Sequence, residues 1–510
     1  MRIVQVPIKI SIIDCAINCN QQTKLITLAD KMTLFCSFLE SLNTSIMKTL
    51  NNRKFKRHVP LAIVLMGLGF SSCTNTAADG WQQLFDGETL DGWKRVGGEA
   101  PYAIEDGAIV GTMTAGTPNS FLITEKEYGD FILELEVKLE GETTNSGIQT
   151  RSHLDEAAND GRGRVYGRQV EIDPGDRAWT GGIYDEARRG WLYPLDLNEQ
   201  AKTAYKKEAY NHIRIEAIGQ ETKTWLNGVP VAYVVDTLDA TGFIGLQVHS
   251  IGDEALAGKK VYFKNIRIQT ENLQPQDFPM GNYVVNLTPN SLTAYEEQSG
   301  YKLLFDGHSN AGWVGAYKEA FPAKGWEIKD GIISVLPSDG AESTNGGDIV
   351  TTDQYSAFDL SFEFKLTEGA NSGVKYFVTL DEHNTGSAIG LEYQVLDDER
   401  HPDAKMGKDG NRTLASLYDL ITAQKTKRSM RKIGEWNKGR VVVQPDNTVT
   451  HYLNGEKVVQ YERGSDVYRE LVSGSKYKKW ADFGQAAKGH ILLQDHGDRV
   501  SFRNLKIKSL

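Results

Sequence analysis

From residue 81 onward the chain alternates apolar and polar residues with a period of two. Phe131-Ile-Leu-Glu-Leu-Glu-Val-Lys-Leu139 and Phe358-Asp-Leu-Ser-Phe-Glu-Phe-Lys-Leu366 each set apolar side chains on one face and charged ones on the other. His212-Ile-Arg-Ile-Glu-Ala-Ile218 and Val261-Tyr-Phe-Lys-Asn-Ile-Arg-Ile268 repeat the habit. Such alternation predicts antiparallel strands with one face against a core. Asn227-Gly228 and Asn454-Gly455 predict tight hairpins, because this pair tolerates positive φ at both central positions. No long stretch carries a helical period. Many short strands joined by Gly-rich turns predict an all-β sandwich or jelly roll.

The pattern is written twice, in the same order. Leu84-Phe-Asp-Gly87 followed by Trp93 recurs as Leu304-Phe-Asp-Gly307 followed by Trp313. Asn145-Ser-Gly147 recurs as Asn371-Ser-Gly373, Leu226-Asn-Gly228 as Leu453-Asn-Gly455, and Leu246-Gln-Val-His249 as Leu493-Gln-Asp-His496. Phe263-Lys-Asn265 recurs as Phe502-Arg-Asn504. The spacing is far longer than a solenoid unit, so each copy is read as a whole domain. The first spans 81–270 and the second 300–510, with 271–299 as a Pro- and Gly-containing linker expected to pack on one of them.

The 510 residues carry 57 Lys and Arg against 67 Asp and Glu, a formal charge of -10 that argues against nucleic acid as a partner. The apolar fraction of 40% excludes global disorder. Ahead of the first copy, the basic stretch Asn51–His58 precedes a short apolar run, Pro60–Phe70, and then Ser71-Ser-Cys73. A basic region, an apolar core and small residues before a cut site form an export signal, and the run is too short for a comfortable membrane span. Cys73 at the cut site resembles the lipidated first residue of a bacterial lipoprotein, although Phe70 stands where Leu is usual. Met47-Lys48 fits the start of that signal, which makes 47–73 the signal peptide and 1–46 an over-extended gene start. The expectation is an exported bacterial lipoprotein, periplasmic or outer-membrane attached, held by a lipid anchor. After Cys73 there is no cysteine, so the mature chain has no disulfide, thiol nucleophile or Cys-based zinc site.

With these motifs in this order, both copies resemble the 3-keto-disaccharide hydrolase family, formerly a domain of unknown function. The resemblance implies two tandem concanavalin- or laminin-G-like jelly rolls, and action on glycosides whose sugar is a ketone at C3. The copies differ at one strand: Gln169-Val-Glu-Ile-Asp173 in the first, Glu392-Tyr-Gln-Val-Leu-Asp397 in the second. Glu and Gln have exchanged places, so a catalytic carboxylate at either position suits one copy at most.

Residues two apart on a strand share a face, which aligns Gln169, Glu171 and Asp173, and likewise Glu392 with Gln394, Gln247 with His249, and Gln494 with His496. Such rows suit sugar hydroxyls, which donate and accept hydrogen bonds. Trp179, Tyr184, Trp191, Tyr376 and Tyr418 are candidates to stack on sugar faces. For a 3-keto sugar the implied chemistry is removal of the C2 proton, formation of an enolate, and departure of the C1 substituent, with water adding afterwards in net hydrolysis. His249 and His496 are the first candidates for proton transfer, with Glu171, Glu392, Asp173 and Asp397 as alternative bases and Arg151 or Lys375 as oxyanion stabilisers. Leu-Phe-Asp-Gly, Asn-Ser-Gly and Leu-Asn-Gly read more simply as structural turns or strand ends. His383 with Asp397-Asp-Glu-Arg-His401 would suit a divalent metal, but a solvated charged loop is the preferred reading, and no cofactor is firmly implied. The remaining alternatives are a non-catalytic, lectin-like glycan-binding protein and an ordinary glycosidase with a carboxylate pair.

Overall fold

The computed structural model describes residues 80–510 except 142, 339–340, 384–387 and 481, and the side chains of 381–383 also fall outside the description. The leader, Cys73 and the ring of His383 therefore lie outside the described residues. Among the described residues no helix is long and apolar enough to cross a membrane.

The strands form four sheets, paired as two β-sandwiches within one compact unit. In the first sandwich a nine-stranded sheet faces a seven-stranded one. In the second an eight-stranded sheet faces a five-stranded one. Alternation decides what meets inside. Leu133, Leu135 and Val137 from one sheet pack with Ile148, Val170, Ile172 and Leu246 from the other. The second half follows the same rule: Leu360, Phe362 and Phe364 meet Val374, Tyr393, Val395 and Leu493. Each of these side chains is almost fully buried, and together they supply the main driving force for folding.

Three strands in each half carry the polar residues of interest. They are β1 (Ser146–Asp155), β2 (Arg164–Ile172) and β3 (Phe243–Val248) in the first, and β4 (Asn371–His383), β5 (Ala388–Leu396) and β6 (His490–Leu493) in the second. In both halves the Asn-Ser-Gly strand lies in the middle, hydrogen-bonded to the other two. The two Asn-Gly pairs are two-residue hairpin loops: Leu226 faces Val229 and Leu453 faces Glu456 across them. Asn227 and Gly228 have φ of 51° and 82°, and Asn454 and Gly455 have 51° and 88°, as a turn matched to the strand twist requires.

The segment between the copies is structured and touches both sandwiches. Val285–Asn286 adds a parallel strand to the edge strand Val229–Val235 of the first. Phe278 and Val284 pack with Trp225 and Tyr233. The short helix α1 (Ala294–Gln298) opens with a capping box between Thr293 and Glu296. Glu296 is buried, accepts from Asn286 Nδ2 at 3.0 Å, and forms an ion pair with Lys506 on the last strand of the second sandwich. Removing one partner of a buried pair leaves the other charge uncompensated. Glu296→Ala should therefore lower unfolding stability by about 3–5 kcal/mol. Chemical denaturation checks this, and Glu296→Leu combined with Lys506→Met should recover most of the loss.

Candidate functional site

The strands β2 and β5 carry the exchanged Glu and Gln on the face turned away from the core. Their neighbours Val170, Ile172, Tyr393 and Val395 point into it. Loops cover the polar face, so Glu171 and Glu392 are each only 5% exposed.

In the first half these side chains satisfy one another. Ser152 Oγ donates to Gln149 Oε1 at 2.7 Å, Gln149 Nε2 to Gln169 Oε1 at 2.7 Å, and Gln169 Nε2 to Glu171 Oε2 at 2.9 Å. Asn145 Nδ2 completes the set, donating to Glu171 Oε1 at 2.7 Å. Burial nevertheless penalises the charged form and lifts the Glu171 carboxyl from 4.5 to about 7, although Asn145 and Gln169 pull the other way. The neighbouring Gln247 is fully buried, and neither of its amide atoms has a hydrogen-bond partner among the described residues.

In the second half the equivalent positions hold charges. Cross-strand register pairs Gln149 with Gln169 in the first copy and Lys375 with Glu392 in the second, so a lysine replaces an amide. Burial raises the Glu392 carboxyl from 4.5 to about 7, with Lys375 and Lys476 opposing the rise. Burial also works against the Lys375 ammonium, but the carboxylates of Glu392, Asp348 and Glu342 outweigh it and hold that group above its usual range. Lys375 Nζ donates to Ala388 O at 3.2 Å and lies 3.9 Å from Glu342 and 4.0 Å from Asp348. Oriented to pair donors with acceptors, the Gln394 amide donates to Glu392 Oε1 at 3.0 Å.

The two Asn-Ser-Gly motifs explain themselves here. A Cβ on Gly147 would come within 2.3 Å of the Gln169 side chain, and one on Gly373 within 2.3 Å of Glu392 Oε1. The glycine lies within a strand and is needed because its neighbour's side chain lies over it.

A cavity of about 140 Å³ opens above Glu392, lined also by Lys375, Gln394, Gln494, Tyr418 and His496. Another wall comes from Lys476, Lys479 and Trp480, beyond the helix α2 (Asp466–Ser473), and Glu342 lines the cavity as well. Between the matched strands the first copy runs only from Val235 to Phe243, whereas the second runs from Glu462 to His490. Those wall residues, and Glu342, were missed by the sequence reading. The extra length between Leu-Asn-Gly and Leu-Gln-x-His in the second copy was the signal available.

Several expected site residues have other work. Arg151 has φ of 46° at a bulge in β1, and its guanidinium donates to the carbonyls of Gly129, Ala217 and Gly219 and to Asp130. It ties loops together instead of facing Glu171. Asp397 accepts from the backbone amides of Gly369, Glu399 and Arg400, and its carboxyl stays below the usual range because these bonds outweigh burial. Asp173 accepts from the Gly175 amide and pairs with Arg177 at 2.7 Å. Trp179 is buried against Trp191 with ring centroids 4.6 Å apart, and Tyr376 is a core residue bonded to His451, so neither offers an open stacking face. Tyr184 and Trp191 line a different cavity, between the sandwiches. Tyr418 does reach the pocket, with its hydroxyl donated to Asp403 at 2.7 Å.

The histidines follow their strands. His249 Nδ1 bonds to Ser250 O at 2.6 Å, and burial lowers the pKa of its ring. His496 Nδ1 is buried without a hydrogen-bond partner among the described residues, and its ring stands edge-on to His401 at 5.8 Å. Ligand atoms of His401, His496 and Asp498 lie within 4.8 Å of one another. Of the run Asp397–His401, His401 belongs to this trio, while Asp397 caps amides and Asp398 pairs with Lys425. His401 Nδ1 accepts the Asp403 amide at 3.2 Å, which leaves the proton of the neutral ring on Nε2. A cation could use Nε2 only after that cap is surrendered, so the trio fits a metal poorly.

Both raised carboxyls make the folded chain bind protons that the unfolded chain releases between pH 4.5 and about 7. Their contribution to stability falls as pH rises through that window. Carbon NMR of glutamate-labelled protein should show two carboxyl resonances with midpoints near pH 7, one absent in Glu171→Gln and one in Glu392→Gln. Midpoints near 4.5 for those two resonances would contradict the burial described.

Comparison with known proteins fits the duplicated pattern. The model of the 3-keto-alpha-glucoside-1,2-lyase-like domain matches residues 80–269 and again 300–508. A 3-keto-disaccharide hydrolase of Bacteroides thetaiotaomicron is 37% identical over 241 residues, spanning 43% of this chain and 82% of that protein. A candidate glycosyl hydrolase from Parabacteroides distasonis is similar at 31% identity and a TM-score of 0.38, covering 44% of this chain and 100% of its own. A carbohydrate-binding module from Bacillus subtilis is similar at 19% identity and a TM-score of 0.25, covering 35% of this chain and 95% of its own.

Proposed function

The chain belongs to the family of 3-keto-alpha-glucoside-1,2-lyase-like domains through both of its halves, and on that footing we propose that it cleaves 3-keto glycosides or disaccharides in the pocket of its second half. One observation carries the choice of site: Glu392 and Lys375 are cross-strand partners that line one cavity, with the carboxyl poised near neutral pH. A base must be ionised to accept a proton and basic enough to take it, and a carboxyl lifted to about 7 meets both needs better than an ordinary one.

In this reading the Glu392 carboxylate removes the proton from C2 of the ketone-bearing sugar. The electron pair of that bond moves onto the C3 oxygen as an enolate, which the Lys375 ammonium stabilises by charge. The enolate then collapses to a C1–C2 double bond, the C1–O bond breaks, and the departing oxygen takes a proton. Lys476 lines the same cavity, and burial lowers the pKa of its ammonium, which makes it a readier donor for that step. Water adding to C1 afterwards gives net hydrolysis. Gln394, Gln494 and Tyr418 would orient the sugar from the same cavity. The leader motif supports export and lipidation at Cys73, which would hold this chemistry at a bacterial membrane surface.

The first half reads as a carbohydrate-binding copy. Its position matching Lys375 is Gln149, which with Gln169 forms a hydrogen-bonded relay ending on Glu171. It therefore has no cation at the position of Lys375, and the nearby Arg177 is already paired with Asp173.

Incubation with a 3-keto glucoside and with its unoxidised parent tests the assignment. Aglycone should be released from the ketone alone, with kcat/KM rising as pH rises toward about 7. Glu392→Gln should lower turnover by about 10²–10⁴-fold, whereas Glu171→Gln should leave it nearly unchanged. Binding without release would favour the lectin reading, cleavage of the parent an ordinary glycosidase, and loss of turnover only in Glu171→Gln would move the active site to the first half.

A further inference from the structure

A cavity of about 850 Å³ lies between the two sandwiches and has no role in the chemistry above. The first half contributes the end of the strand pair Ile183–Glu186 and Gly190–Tyr193, and the second contributes the segment from Met430 to Lys438 with the outer-sheet residues Glu363 and Arg503. Cations dominate its lining. Arg188 and Arg189 are neutralised by Asp185, Asp236 and Asp239, and Arg503 by Glu363. Arg164, Arg431, Lys432 and Lys438 also line it, and among the described residues none of these four forms an ion pair with a carboxylate. The one other acid on the wall, Glu435, accepts the Lys432 backbone amide at 3.2 Å. Tyr184, Trp191 and Trp436 bring aromatic rings to the same space.

We propose that this cleft binds an acidic oligosaccharide, its carboxylate or sulfate groups held by Arg431 and Lys438 and its rings set against the aromatic walls. Both halves are needed to build it, since the aromatic pair Tyr184 and Trp191 comes from the first and the two cations from the second. Arg431 is half-buried; among the described residues its guanidinium donates to the backbone carbonyls of Arg428 and Met430, and Glu435 and Glu456 attract it from a distance without forming an ion pair. Lys438 is in a similar state: burial lowers its ammonium to about 8, with Lys506 and Arg189 adding to the effect and Glu363 and Asp236 opposing it. A partly desolvated cation without an ion-pair partner gains from an arriving anion, and an arginine plane can meet a carboxylate or sulfate through two bonds. The volume is within the range of sites for ligands of several rings. The choice of a sugar as ligand rests on the reading of the chain as a glycoside-processing protein. The site itself rests on the cleft.

Calorimetric titration of the full chain tests this with three probes: a short oligogalacturonate, a sulfated oligosaccharide and a neutral oligosaccharide of equal length. At least one anionic probe should bind, with affinity falling as salt rises, and the neutral one should bind far more weakly. Arg431→Gln with Lys438→Met should weaken anion binding by about tenfold or more per lost charge. Should that variant fold poorly, the exposed pair Arg164→Gln and Lys432→Gln provides a gentler test in the same direction. Binding confined to the uronate or to the sulfate would name the anion. Glu392→Gln should bind the anion as the parent chain does, so loss of glycoside cleavage and loss of anion binding report on different sites. Equal binding of the neutral probe, no binding of either anion, or unchanged affinity in both cleft variants would overturn the proposal.

Discussion

The organising constraint is that each sandwich buries both faces of one of its sheets, and only one of those faces is apolar. Ile148, Val170 and Leu246 fill the core from one side, while Gln149, Gln169, Glu171 and Gln247 are equally hidden on the other. Buried polar groups must find partners or be destabilising. The first half answers with a relay of amides that ends on Glu171, and the second with a lysine set opposite a glutamate. The glycine of each Asn-Ser-Gly motif follows from the same demand, because a side chain there would displace the group lying over it.

Much of the fold could be read from the chain. Strict alternation in Phe131–Leu139 and Phe358–Leu366 places the core, and Asn-Gly pairs place the hairpins, because both rest on local geometry. Side-chain direction at the ends of strands was less legible. Arg151 follows the Asn-Ser-Gly motif closely enough to suggest a shared face with Gln149, but a bulge with positive φ turns it toward loop carbonyls. Spacing aligns Asp173 with Glu171 and makes Asp397 a candidate base, yet both lie past the strand end, where turn amides and arginine claim their oxygens. The pocket wall at Lys476 and Trp480 depends on an insertion whose path no periodicity announces.

The duplicated sequence also conceals how far the copies have diverged. A single exchange along one strand would be modest if its neighbours were unchanged, but register pairs the exchanged position with Gln149 in one half and Lys375 in the other. Together with the longer excursion from Glu462 to His490, this converts a closed amide row into an open charged cavity. Equivalent motifs thus hold equivalent backbones while the electrostatics of the two faces differ. The two sandwiches also touch directly: Arg428 lies over the Trp179 ring at 5.5 Å and the Lys457 amide donates to Asp196 at 3.2 Å.

The connecting segment has a consequence for how the halves could ever have existed separately. Val285–Asn286 covers the outer edge of the first sheet, and the helix after it is keyed by Glu296 to the last strand of the second. A first half ending at residue 270 would leave Val229–Val235 as a bare, valine-rich margin, open to pairing with other chains and so to self-association.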